Sequence, residues 1–217
     1  MRFILLCLVV VFSQATGESG RSDETPVGGD PGVYSEPDFS GLGLTGNELE
    51  YLQPGPGHSR LEFLIGRFTS SGGMSADHGQ PQQSLRGTIE SRWVLGGRYV
   101  ETRGAYDWNG QPIRTLRYLG FDALTDEYLW IDMDNWRVFP IVKRGALDPA
   151  TGTLTFTYEY PQIGGPALRI LEVIRLKGAD SFEIENIQFL PVGGFETRSK
   201  TVYRRAAASA EDGGTAG

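Results

Sequence analysis

Breaks in the chain recur roughly every dozen residues, and they decide most of what this sequence can fold into. Gly96-Gly97 closes one apolar run, and Asn109-Gly110 is the strongest short hairpin signal in the chain. Further turn-rich breaks fall at 122–126, 134–135, 148–152, 161–166, 178–180 and 191–194. The segments between them are rich in β-branched and aromatic residues. TLTFTYEY alternates cleanly, with Leu154, Phe156, Tyr158 and Tyr160 on one face and Thr153, Thr155, Thr157 and Glu159 on the other.

About ten strands result, nearly all joined by connections too short for a parallel crossover, so neighbours run antiparallel. A long antiparallel meander with few helices to cover it must close on itself or leave unpaired edges. The pattern therefore predicts an all-β, up-and-down antiparallel barrel. Just before the first strand, HSRLEFLIGRF carries Leu61, Leu64 and Ile65 at helical spacing with Gly66 as a stop. One short N-terminal helix is expected there, plugging the barrel mouth.

The ends read differently. Arg2 followed by the apolar run FILLCLVVVF, then Ser13-Gln14-Ala15, has the layout of a secretory signal peptide cleaved after Ala15 (residues 1–15). The run is too short to span a bilayer. Residues 16–56 are rich in Gly, Pro, Ser, Asp and Glu and read as a flexible leader; 206–217 read as a disordered tail. The barrel domain is thus expected over 57–205, exported to the periplasm or the exterior. Cys7 is the only cysteine and lies in the signal segment, so the domain must hold together without disulfides. The formal charge of −7 argues against nucleic acid and anionic lipid as partners.

Catalytic and metal chemistry find little support. No G-x-S-x-G is present, and the two histidines, His58 and His78, fall in Pro/Gly-rich or polar loops where solvated side chains are expected. Asp122, Asp126, Glu127, Asp132 and Asp134 are close in sequence, but Asp122 and Asp126 flank a turn, where such side chains bond their own backbone. No metal is expected, and no cofactor. Haem is not favoured, because its iron needs an axial ligand and no histidine sits on an expected strand. Paired carboxylates could arise from Asp132 with Glu101, Glu159 or Glu172, and Arg98 or Arg117 inside the barrel would turn such a pair into an ion pair.

The aromatic residues carry the functional reading. A barrel of about ten strands is wider than the eight-strand size that side chains just fill, so rings from the central strands would line a pocket for an apolar or aromatic small molecule. The ligand-contacting candidates are Trp93, Tyr99, Glu101, Tyr118, Tyr128, Trp130 and Asp132. The segment YLWIDMDNWRVF poses the question most sharply. One face holds Tyr128, Trp130, Asp132 and Asp134, the other Leu129, Ile131 and Met133. An unpaired buried aspartate is expensive, so the aliphatic face is expected inward and Asp132 outward. An inward Asp132 would have to meet a cation or a ligand's donor. A small-molecule binding module is the leading reading. An enzyme with an inward carboxylate or tyrosine, or a structural barrel without ligand, are the alternatives.

Five stretches, in order, carry a resemblance. They are H58-x-x-L61-x-x-L64-x-G66-x-F68, SRWVLGGRYVETRG from Ser91, YLGFDALTDEYLWIDMD from Tyr118, RGALDPATGTLTF from Arg144, and KTVYRR from Lys200. Together the chain resembles the bacterial family known as domain of unknown function 1579, over about 57–205. That resemblance implies a calycin-like, lipocalin-like barrel and brings no catalytic residue or ligand with it. Where that family often has Trp in its opening G-x-W pattern, this chain has Gly66-Arg67-Phe68.

Overall fold

A computed structural model of the chain describes residues 43, 45–75, 80–162, 164–191 and 193–207. Ten strands form one closed antiparallel barrel in which each strand pairs with its sequence neighbours and the last pairs with the first. They are β1 (Gly66–Met74), β2 (Gln83–Val94), β3 (Tyr99–Trp108), β4 (Gln111–Asp122), β5 (Glu127–Asp134), β6 (Ile141–Asp148), β7 (Thr153–Tyr160), β8 (Leu168–Gly178), β9 (Ser181–Phe189) and β10 (Phe195–Arg205). Closure joins Phe68 to Arg205 and Met74 to Ser199, so no strand is left as an edge along its whole length.

The turn chemistry behaves as the sequence implies. Asn109 and Gly110 both take positive φ, 51° and 83°, as the tight hairpin between β3 and β4 requires. Asp122 accepts a hydrogen bond from the Leu124 amide at 3.0 Å, and Asp148 one from the Ala150 amide at 2.9 Å. These aspartates bond the backbone of their own turns.

The helical segment is more broken than its spacing suggests. A four-residue helix (Pro56–Ser59) is followed by a 3-10 turn over Glu62–Leu64 rather than by one continuous helix. A further short helix, Gly46–Tyr51, falls inside the stretch read as leader and is closed by a Thr45–Glu48 capping box. Leu61 and Leu64 still point down into the barrel and join Phe68, Phe182 and Leu154 in the core. Gly57 lies so close to the Phe121 ring that a methyl group there would sit 2.3 Å from it.

One expectation about a side chain is corrected here. His58 is buried, not solvated: its Nδ1 accepts from the Gly55 amide at 3.1 Å and its ring packs edge-on against Phe121. Burial, reinforced by the charge of Arg98, holds its pKa below the ordinary value. His78, Cys7, the signal segment and the tail from 208 lie outside the described residues. Among the described residues no helix is long and apolar enough to cross a membrane.

Candidate functional site

Strand β5 presents its aromatic and carboxylate face to the interior, the reverse of the expected orientation. Tyr128, Trp130 and Asp132 are buried, whereas Leu129, Ile131 and Met133 between them are only partly covered. The reason lies in neighbouring strands. Asp132 receives Arg117 Nε from β4 at 3.1 Å and Lys143 Nζ from β6 at 3.3 Å, and Arg137 from the following loop stands 3.7 Å away. With three cations around it, the carboxylate is stable inside. Burial alone would raise its pKa, but Arg117, Lys143 and Arg137 outweigh burial and hold it well below the usual carboxylate range.

Lys143 is the hub of this cluster. Its ammonium also contacts both oxygens of Glu172 on β8, at 3.0 and 3.1 Å, and lies 4.9 Å from the ring centres of both Trp130 and Tyr158. Only 2% of its side chain is exposed. Burial opposes its charge, yet Glu172 and Asp132 prevail and keep its pKa above the ordinary lysine value. Asp134 accepts from the amides of Trp136 and Arg137, which bends the β5–β6 loop back so that the Arg137 side chain also pairs with Asp134. Arg117, Lys143 and Arg137 thus face Asp132, Glu172 and Asp134, and the cluster is charge-balanced.

Tyrosines extend the network. Arg117 donates to the Tyr106 hydroxyl at 3.3 Å, and the hydroxyls of Tyr106 and Tyr203 are 3.2 Å apart. Tyr158 donates to Asn186 at 3.2 Å, and its pKa is pushed up to about 12, chiefly by burial. Beside the cluster lies a cavity of about 10 Å³, bordered by Ser91, Thr102, Arg117 and Trp130 together with apolar groups such as Leu119 and Ile184. That is room for about one water molecule. The wide pocket anticipated from the strand count is taken up by the long side chains of Arg117, Lys143 and Trp130 and by the helical plug.

Five buried side-chain atoms directed inward by strand alternation have no hydrogen-bond partner among the described residues: Ser70 Oγ, Thr115 Oγ1, Gln188 Oε1 and the indole nitrogens of Trp108 and Trp130. Trp108 packs against Trp136 of the β5–β6 loop, ring centres 5.1 Å apart.

Of the seven candidates, Tyr128, Trp130 and Asp132 come together inside. Tyr128 is committed to the plug, donating to the Gly57 carbonyl at 3.0 Å. Trp93 sits at the plugged mouth, where its indole donates to Glu62 at 2.8 Å. Tyr99, Glu101 and Tyr118 lie on the outer face. Glu101 is nonetheless buried there under Arg92, Arg103 and the donating Tyr118 hydroxyl, which together hold its pKa down against burial. Of the possible carboxylate partners for Asp132, Glu172 shares its lysine, while Glu159 is exposed. Lys143, Arg137 and Tyr203 were not singled out from the sequence. The sole local hint was a lysine on the same alternating face as Ile141 and Gly145 of β6.

Residues 53–205 match the model of the family described as "Protein of unknown function (DUF1579)". The chain belongs to that family. Among solved structures it is similar to the S-type phycobiliprotein lyase CPES from Guillardia theta, with 12% identity and a TM-score of 0.51 over 70% of this chain and 93% of that one. It is also similar to Rv2717c from M. tuberculosis, with 11% identity and a TM-score of 0.52 over 70% and 99%. At such identities the likeness is one of fold. The comparison with curated proteins finds no match.

Proposed function

We propose that this barrel is a binding module for a small molecule that carries hydrogen-bond acceptors and is held in the interior beside the Arg117–Asp132–Lys143–Glu172 cluster. The observation that carries this reading is the set of inward polar atoms without a partner among the described residues, three of them on residues no more than 6% exposed: Ser70, Trp130 and Gln188. Buried polar groups are rarely left unsatisfied, and indole nitrogens can only donate. An acceptor-bearing group, whether water or ligand, is what Trp108 and Trp130 call for. A ligand of several heavy atoms needs more space than about 10 Å³, so its binding requires the β5–β6 loop with Trp136 and Arg137 to shift from the mouth.

The enzyme alternative is weakened by the same cluster. Acid–base work at neutral pH needs a group whose pKa lies near 7. Asp132 is driven down and Lys143 up, so both stay charged and neither exchanges a proton readily. The cluster is suited to orienting a bound dipole rather than to moving protons. The N-terminal apolar run after Arg2 supports export as the setting.

Native mass spectrometry of the full chain from two expression hosts, with an absorption spectrum of each sample, tests this. A stoichiometric extra mass, lost on denaturation and reduced in Trp130→Phe, is the expected result. A bare mass from both hosts, with no added small carboxylic acid or amide altering the indole fluorescence, would overturn it in favour of a structural barrel.

A further inference from the structure

We infer that the barrel wall contains a slot for a short extended peptide, between the start of β6 and the end of β7, distinct from the interior site and independent of it. The β6–β7 ladder runs from Asp148–Thr153 to Arg144–Thr157 and goes no further. On its other side β6 stays paired with β5 as far as Ile141–Asp132, and β7 stays paired with β8 as far as Tyr160–Leu168. Residues 141–143 and 158–160 therefore each have a strand on one side only.

Extending the register shows why the ladder has no anchor at its far end. Lys143 would face Tyr158, Val142 would face Glu159, Ile141 would face Tyr160, and the pair beyond these would bring Pro140 opposite Pro161. Neither proline has an N–H to donate, and proline is confined to edges and strand ends for that reason. Gly145 marks the last close approach of the two strands. A methyl group there would lie 2.2 Å from the Thr155 carbonyl oxygen, and the Phe156 ring lies close by.

Where the strands part, the outer surface holds a groove of about 310 Å³. It is bordered by Phe139, Pro140, Val142, Pro161 and Ala167, with Glu159 as its one charged member. Val142 is 54% exposed. Glu159 has no ion-pair partner among the described residues, whereas most other strand carboxylates of the barrel do.

Two strand edges, an apolar lining and one unpaired carboxylate specify an occupant. An extended backbone satisfies the edge N–H and C=O groups, as in other strand-addition complexes; apolar side chains fit the groove; a lysine or arginine meets Glu159. A lipid or other apolar small molecule would leave the backbone edges and Glu159 without partners. The two prolines restrict the paired stretch to about three residues, roughly 10 Å of extended chain.

The test uses the full chain and a displayed library of random octapeptides. Enriched peptides are expected to alternate apolar residues around one lysine or arginine. A synthetic peptide of the enriched sequence should slow amide exchange at Val142 and Glu159, whose N–H groups point into the gap by the alternation of the ladder. Glu159→Lys should weaken it several-fold, while Glu90→Lys, whose carboxylate pairs with Arg67 on another part of the wall, should not. Without peptide, the amides of Val142 and Glu159 should exchange faster than those of Gly145 and Phe156. Equal, slow exchange would show the wall already closed. That result, a lack of enrichment, equal binding by both variants, or protection of the same amides by self-association alone would each overturn the proposal.

Discussion

The two halves of the barrel interior are built by opposite rules. At the plugged end, Leu61, Leu64, Phe68, Phe182 and Leu154 pack together, and rings do most of the filling: Phe182 lies edge-on to Phe68 and stacks on Tyr203 with centres 4.7 Å apart. Away from the plug, three cations and three carboxylates hold one another in place. The first half gains free energy from each apolar group withdrawn from water. The second recovers, through mutual attraction, what desolvating its charges costs, and much of its value is geometric. A core made only of the first kind would be easier to stabilise. The second kind fixes polar groups in defined positions, which is what a site requires.

The largest effect that separates the halves should come from Lys143→Met. It leaves Glu172 buried without its cation and removes one of three around Asp132, at a cost of about 3–5 kcal/mol. Adding Glu172→Gln to that variant should recover a good part of the loss, because the stranded charge is gone. Urea unfolding of both variants checks this. If the double variant is no better than the single one, the cluster acts by packing and the contrast between the halves fails.

Leu61→Ala should cost about 2–5 kcal/mol in the same assay, since Leu61 is 1% exposed beneath the plug. The informative difference lies in its pH profile. The cost of a lost methyl cluster should be the same at pH 4 and pH 8, whereas the loss in Lys143→Met should shrink in acid as carboxylates are protonated.

How far the sequence itself carries this picture depends on the range of the interactions. The barrel, its antiparallel order and its tight turns are legible because period-two alternation and Asn-Gly or Asp-rich turns are local signals, and β7 alternates as its sequence implies, the face of Leu154 and Phe156 proving to be the inner one. The orientation of β5 was not legible. Within its own segment Asp132 has no partner, and the sensible inference is that it faces water. Its cations come from positions 117, 137 and 143, and only the barrel register brings them to one point. His58 fails for the same reason: a Gly/Pro-rich neighbourhood looks solvated until Phe121, far along the chain, is folded over it. Glu101 shows the converse, a buried carboxylate on the outside, covered by residues from three strands.

The charged half should also set the acid limit of stability. The folded-state pKa of Asp132 is depressed, so its contribution is fully present above its unfolded value of about 3.9 and is lost as pH falls through the lower folded value. Wild-type stability should therefore fall steeply below about pH 4. In Asp132→Asn that slope should be shallower, from a lower starting stability. An unchanged slope would mean that other carboxylates govern acid unfolding.

The plugged half has a weaker pH dependence of its own, through His58. Its folded-state pKa is also depressed, here because burial and Arg98 disfavour the imidazolium. The neutral ring is the form that accepts from the Gly55 amide at the start of the four-residue helix. Its contribution is present above the unfolded value of about 6.5 and is lost as pH falls through the folded value. Between pH 7 and 5, where Asp132 remains ionised in both states, any decline in stability should come from this end of the molecule. His58→Gln should remove the decline while Asp132→Asn leaves it in place. If both variants keep it, the histidine is not the group that titrates, and the plug's tie to the barrel rests on Tyr128 and the Gly57 carbonyl instead.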